Sequence, residues 1–199
     1  MDDTPYARAC ASIDRANAAD PRTEEADGRT WPKEQLYSRR MVDWTARLRP
    51  DATEELLLAA RAQHLMRWSI PRTDFPDGRT GYLRWRETLK RFHADRAEAI
   101  LREAGYGDGP VAKVRTLLLR KNLAEDPEGQ TLEDAACLVF LEHEFAPFAA
   151  KTERAKVVDI LRKTWEKMSP AAREAALGLP MKPGEKGLVE EALGGPGKG

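Results

Sequence analysis

The 199-residue chain has no apolar run approaching the length of a membrane span, which needs roughly 18 to 20 residues. A membrane-spanning helix is therefore not expected. Cysteine is nearly absent: Cys10 and Cys137 stand far apart in apolar helical patterns. That excludes a disulfide scaffold and predicts two buried thiols in a reducing compartment. β-Branched residues are sparse and never alternate over a useful length, which argues against a sheet protein. Net charge is missing as well, because 33 Lys and Arg balance 33 Asp and Glu. A general binder of nucleic acid or membrane surface would normally be basic overall. The acidic opening Met1-Asp2-Asp3-Thr4-Pro5 lacks the basic and apolar regions of a signal peptide, so a cytoplasmic location is expected. No P-loop, G-x-S-x-G, C-x-x-C or H-E-x-x-H pattern occurs either.

What the chain does have is helical periodicity, and it predicts an all-α, single-domain helical bundle. A first helix is expected over about Pro5 to Ala18, where Asp14, Asn17 and Asp20 read as its polar end. A polar loop with Asp20-Pro21 and Gly28 follows. Pro32 then opens a second helix at the first-turn position, with Tyr37, Met41, Trp44 and Leu48 as its apolar stripe. Asp51-Ala52-Thr53-Glu54 offers an N-cap and capping box for a third helix running to about Trp68. Pro71, Pro76 and Gly78 mark a loop before a fourth helix from about Gly81 to Ala104, closed by Gly105. Further helices are expected from Pro110 to about Asn122, from Thr131, over Thr152 to Lys167, and from Ser169-Pro170. Asp134, three residues after Thr131, reads as a capping-box carboxylate, and His143 as solvent-exposed. The domain is placed at residues 1–180, and the Gly-, Pro- and Lys-rich tail at 181–199 is expected to be disordered.

Charge is neutral in total but uneven along the chain. Arg61 to Arg96 holds eight arginines and one lysine against Asp74, Asp77, Glu87 and Asp95. A local basic block in a neutral protein suits a bounded anion site. On the third helix, His64 is expected to share a face with Ala60, Arg61, Arg67 and Trp68. On the fourth, His93 shares one with Arg86, Leu89, Arg96 and Ala97. The intervening loop carries Arg72, Phe75, Arg79 and Tyr82, and loops of this length often line sites. Guanidinium forks grip phosphate or carboxylate, so a phosphorylated or carboxylated small molecule is the natural ligand. The same arginines can instead stack on Trp68 and Trp85 or pair with nearby acids.

Several motifs resemble a catalogued family. They include Ile13-Asp14-Arg15-Ala16-Asn17, Leu36-Tyr37-Ser38-Arg39-Arg40-Met41, Arg61-Ala62-Gln63-His64, Gly81-Tyr82-Leu83-Arg84-Trp85-Arg86 and Leu132-Glu133-Asp134-Ala135. Together they resemble domain of unknown function 4202 over roughly residues 5 to 180, and that resemblance implies no established activity. More distantly, the motif order resembles the HD superfamily of helical metal-dependent phosphohydrolases, with a core at about residues 32–146. In that resemblance Tyr37 stands where the first His belongs and Gln63-His64 where His-Asp belongs. His93 resembles the auxiliary His, and Asp134 the last Asp.

Three functions follow as expectations. In the first, Gln63, His64 and Asp134 act catalytically, and one divalent metal held by His64, His93 and Asp134 activates water. Tyr37, Arg40, Arg61, Arg67, Trp68, Arg72, Arg79, Tyr82, Trp85 and Arg86 then contact a phosphorylated or nucleotide-like substrate. In the second, the same pocket binds such an anion without metal or chemistry. RNA binding, with Phe75, Trp68, Tyr82 and Trp85 as stacking platforms, is the third and is weakened by the zero net charge. No membrane partner is expected.

Overall fold

The structure, a computed structural model, describes residues 3–120 and 126–194. Its regular elements are ten α-helices and one short hairpin, so the protein is all-α as the periodicity predicts. The chain divides into two compact units after Leu132, where a single domain is expected from the sequence.

The first unit begins with α1 (Pro5–Ala18), started by the Thr4 hydroxyl, which accepts from Ala7 N at 3.2 Å. Ala9, Ile13 and Asn17 recur every four residues and form its buried stripe. Next comes structure that the sequence reading leaves as loop: β1 (Thr23–Ala26) and β2 (Arg29–Pro32) pair antiparallel, with Glu24 opposite Trp31. The two-residue turn has positive φ at both Asp27 (53°) and Gly28 (73°). Asp-Gly is the favoured pair for a turn of this hand, and it is the signal that reveals the hairpin. Pro32 ends β2 and serves as N-cap of α2 (Lys33–Leu48), so the helix begins one residue later than expected.

Thr53 caps α3 (Glu54–Ala62) by accepting from Leu56 N at 3.2 Å. That helix stops at Ala62, six residues short of the expected Trp68. Met66 takes a left-handed conformation (φ 53°), and the chain continues through single 3-10 turns at Arg67–Ser69 and Arg72–Asp74. His64 therefore lies in a tight turn and shares no helix face with Arg67 or Trp68. The cause is tertiary, because buried Asn17 accepts from Met66 N at 3.0 Å and fixes the turn.

The long α4 (Gly78–Glu103) starts three residues before the expected Gly81. A Cβ at Gly81 would lie 1.8 Å from the Pro76 carbonyl oxygen, so only glycine lets the loop close this tightly on the helix. Gly105 (φ 94°) ends α4 as expected, with Tyr106 N donating to Leu101 O. α5 (Asp108–Leu119) follows; Asn122, its expected end, lies outside the described residues. Within this unit α1 packs on α2, α3 and α4, and α5 packs on α3 and α4. Ile13, Met41, Leu56, Leu65 and Leu101 are among its fully buried side chains.

α6 (Pro127–Val139) crosses the division between the units. Thr131 lies inside it, bonding back to Pro127 O, so Asp134 is not a capping-box residue. The second unit continues through a π-helical turn at Phe140–Glu144 into α7 (Phe145–Ala149). His143 in that turn is half-buried beside Glu142, where exposure is expected. α8 (Arg154–Lys167) and α9 (Pro170–Leu177) follow, the latter capped by Ser169 as the sequence predicts. The expected disordered tail contains α10 (Pro183–Ala192), which packs on α8 and pairs Glu191 with Arg154. Residues 195–199 of that tail lie outside the description. Neither cysteine is in a disulfide; Cys137 is buried and Cys10 only half-buried.

Candidate functional site

The site is built from the start of α2 outward. Asp20, whose side chain is fully buried, accepts from Arg22 N (3.0 Å), Arg22 Nε (3.0 Å), Arg22 Nη2 (2.9 Å) and Glu34 N (3.1 Å). Burial alone would raise its pKa, but the Arg22 hydrogen bonds outweigh that and hold it below the usual carboxylate range. An acid in this position favours the positive end of the α2 dipole and fixes the first turn. That turn presents Glu34, itself buried, whose Oε1 accepts from Arg22 Nη2 at 2.7 Å.

Glu34 Oε2 lies 3.2 Å from His64 Nδ1, and Arg67 Nη1 lies 3.2 Å from His64 Nε2. These partners decide the tautomer. A guanidinium only donates, so Nε2 must accept, and Nδ1 therefore carries the proton and gives it to Glu34. Tyr37 stacks on the imidazole with ring centroids 3.8 Å apart and planes 9° from parallel. Neutral His64 is favoured by energy as well as geometry. Burial pushes its pKa well below the ordinary value, and the positive charges of Arg67, Arg120, Arg86 and Lys33 push it further. Burial raises the Glu34 pKa, opposed by Arg67 and Arg22. The result is a neutral imidazole, 23% exposed at its side chain, with four cationic side chains acting on it.

His93 approaches from α4, its ring centroid 6.2 Å from that of His64. Its Nδ1 donates to Leu65 O at 2.8 Å, which places a proton on Nδ1. Burial, then the neighbouring His64, pushes its pKa down to about 3. The sign of the consequence is definite. An unfolded histidine takes a proton below about pH 6.5, whereas buried His93 resists one until far lower, so stability is lost as pH falls through that window. The loss attributable to His93 is about 2 kcal/mol by roughly pH 5, partly offset by the raised Glu34, which takes up a proton on acidification. Urea midpoints of the parent and of His93→Gln, compared at about pH 7.5 and about pH 5, check this. The variant is expected to show the shallower pH dependence, and parallel behaviour would contradict the assignment.

Around this centre lie Arg67 of the 3-10 turn and an arginine and two aromatics of α4. Arg67 stands 4.7 Å over the Trp85 ring, and Trp85 Nε1 donates to Ile70 O at 2.9 Å. Arg86 stands 5.8 Å over Tyr82, whose ring centroid is 6.0 Å from that of Trp85.

Over residues 7–189 the chain matches the family described as Domain of unknown function (DUF4202). The chain belongs to this family. No curated protein and no solved structure matches it. Among the described residues of this DUF4202 chain, no helix is long and apolar enough to cross a membrane.

The fold brings together five of the expected site residues, namely Tyr37, His64, Arg67, Trp85 and Arg86, with His93 beside them. Tyr82 flanks the group. Other expected ligand contacts have different work in this DUF4202 chain. Arg61 grips both Asp14 oxygens at 2.7 and 2.8 Å, and its carbonyl accepts from Ser38. Arg40 pairs with Glu24 of the hairpin at 2.6 Å. Arg72 donates to Phe75 O and shapes the loop. Arg79 is exposed, Trp68 half-buried and Gln63 buried. Asp134 belongs to the second unit, where its Oδ1 accepts from Ser169 N at 2.9 Å and steadies the start of α9.

The expected metal set does not fit this arrangement. Among the described residues no group of three or more His, Cys, Asp or Glu side chains is placed to hold an ion. The Nε2 lone pair of His64 already faces a guanidinium. Sequence reasoning missed Asp20, Arg22, Lys33, Glu34 and Arg120. One signal pointed that way: Asp14, Asn17 and Asp20, three polar residues spaced by three. Each contacts the turn or the helix that frames His64.

Proposed function

We propose that this DUF4202 protein binds a small oxyanion, of the phosphate-monoester kind, at the mouth of the His64 site without a metal. One observation carries the reading: Arg67 is held against a neutral imidazole and an aromatic ring, neither of which neutralises its charge. A guanidinium kept in that way retains four further N–H donors for an incoming anion, and its charge, which also acts on Glu34 behind the imidazole, is not spent in a direct ion pair among the described residues. Lys33, Arg86 and Arg120 add to the positive field at the same imidazole. Glu34 and Tyr37 orient the ring so that its accepting edge faces Arg67, and Asp20 and Arg22 fix Glu34. The proposal routes no step through a metal, since among the described residues no group of three or more His, Cys, Asp or Glu is placed to hold one.

Thermal unfolding in inorganic phosphate, against chloride at matched ionic strength, tests this. A ligand that binds only the folded state stabilises it by about 2.7 kcal/mol at a hundredfold excess over Kd, so Tm is expected to climb with the logarithm of phosphate concentration once Kd is exceeded. An unchanged Tm throughout would sink the proposal.

A further inference from the structure

Four large apolar side chains are exposed among the described residues: Tyr82 (42%), Leu83 (53%), Leu177 and Leu193. Two of the four are adjacent, in the second turn of α4, beside the cationic site. Exposed apolar side chains scattered singly need no explanation, but a pair next to an anion site suggests a bifunctional ligand.

Arginines connect the two regions. Arg67 donates to His64 and covers Trp85. Arg86 acts electrostatically on His64 while its guanidinium reaches the Tyr82 hydroxyl at 3.5 Å and overlies that ring. The aromatic pair Tyr82 and Trp85 is thus continuous with the cationic centre through two separate side chains. Trp85 is half-buried and bonded to Ile70 O, which fixes it as the rear wall. Tyr82 is the open surface.

We infer that the ligand joins a phosphate to a flat heteroaromatic ring, as a nucleotide does, with the phosphate at Arg67 and Arg86 and the ring stacked on Tyr82. The inference rests on the anion-binding reading and adds the second half of the ligand. Charge complementarity supplies one end. At the other, a flat ring covers the part of the Tyr82 ring that Arg86 leaves exposed to water, and it does so with little loss of side-chain freedom, since tyrosine has two rotatable bonds. A free nucleotide and the 5′ end of an RNA share this chemistry.

Calorimetric titrations with adenosine 5′-monophosphate, a short 5′-phosphorylated oligoadenylate and ribose 5-phosphate separate the terms. The monophosphate is expected to bind about tenfold or more tighter than ribose 5-phosphate, the gain typical of one stacked base. Tyr82→Ala is expected to collapse that ratio towards one, and Tyr82→Phe to keep it. A further gain with the oligoadenylate assigns the ring to an RNA end; equal affinity assigns it to a free nucleotide. Equal binding of ribose 5-phosphate and the monophosphate by the parent protein overturns the inference while leaving the anion site standing. Absence of binding by all three overturns both.

Discussion

Asp20→Ala is expected to lower folding stability by about 2–4 kcal/mol, the sum of a lost helix-start contact and lost charge-assisted hydrogen bonds. The reason is local. Four donors converge on this one buried carboxylate, three from Arg22 before the hairpin and one from Glu34 at the start of α2. Alanine leaves Glu34 N without its acceptor and frees Arg22 from its bidentate grip. Glu34 then loses the constraint that aims it at His64, so phosphate affinity falls together with stability. Asp20→Asn, which keeps one acceptor, is expected to lie between the parent and the alanine variant. The Asp20 pKa is held down in the folded state. Its contribution is therefore present above the unfolded carboxylate pKa and is lost only as pH falls towards the folded value. Urea midpoints near neutral pH measure the effect, and a loss below about 1 kcal/mol, the size of a single ordinary cap, would contradict it.

Arg67→Ala is expected to weaken phosphate binding about 10- to 100-fold, since a hydrogen bond to a charged group is worth about 1.5–3 kcal/mol. Folding stability should change far less, because Arg67 makes one contact to a neutral ring nitrogen and one to an aromatic face. Arg67→Lys should recover the charge but not the fork, and hence only part of the affinity. Arg61→Ala provides the contrast. Its guanidinium is already paired with Asp14, so the loss there falls on stability. If Arg61→Ala were the variant that abolished binding and Arg67→Ala had no effect, the site would have to be redrawn around α1.

The helices were legible because their apolar residues recur at helical spacing and their ends carry Thr53, Gly105 and Ser169. The hairpin was not, because its strands are four residues long and offer too short a pattern to alternate; only Asp27-Gly28 marks it. The early end of α3 has no local breaker such as proline or glycine. Asn17, far away in sequence, imposes it through Met66. The tail misled for the opposite reason. Its glycines and prolines suggest disorder, yet Val189, Ala192 and Leu193 line an apolar cleft with Leu161 and Trp165 of α8. At the site, His64, Arg67 and Arg86 could be chosen because they cluster in one basic segment. Asp20, Arg22 and Glu34 lie 30 or more residues earlier, and an acid beside an arginine in sequence reads as an ordinary surface pair. Their role depends on burial, which only the folded chain reveals.

The central claim is that a neutral His64, fixed between Glu34 and Arg67, marks an oxyanion site. Nitrogen-15 NMR of the histidine rings near neutral pH, recorded with and without phosphate, tests it most directly. The account predicts a neutral His64 ring protonated at Nδ1, with the Nε2 resonance moving on addition of phosphate as Arg67 engages the anion. An imidazolium in the free protein, or an Nε2 resonance indifferent to phosphate, would contradict it.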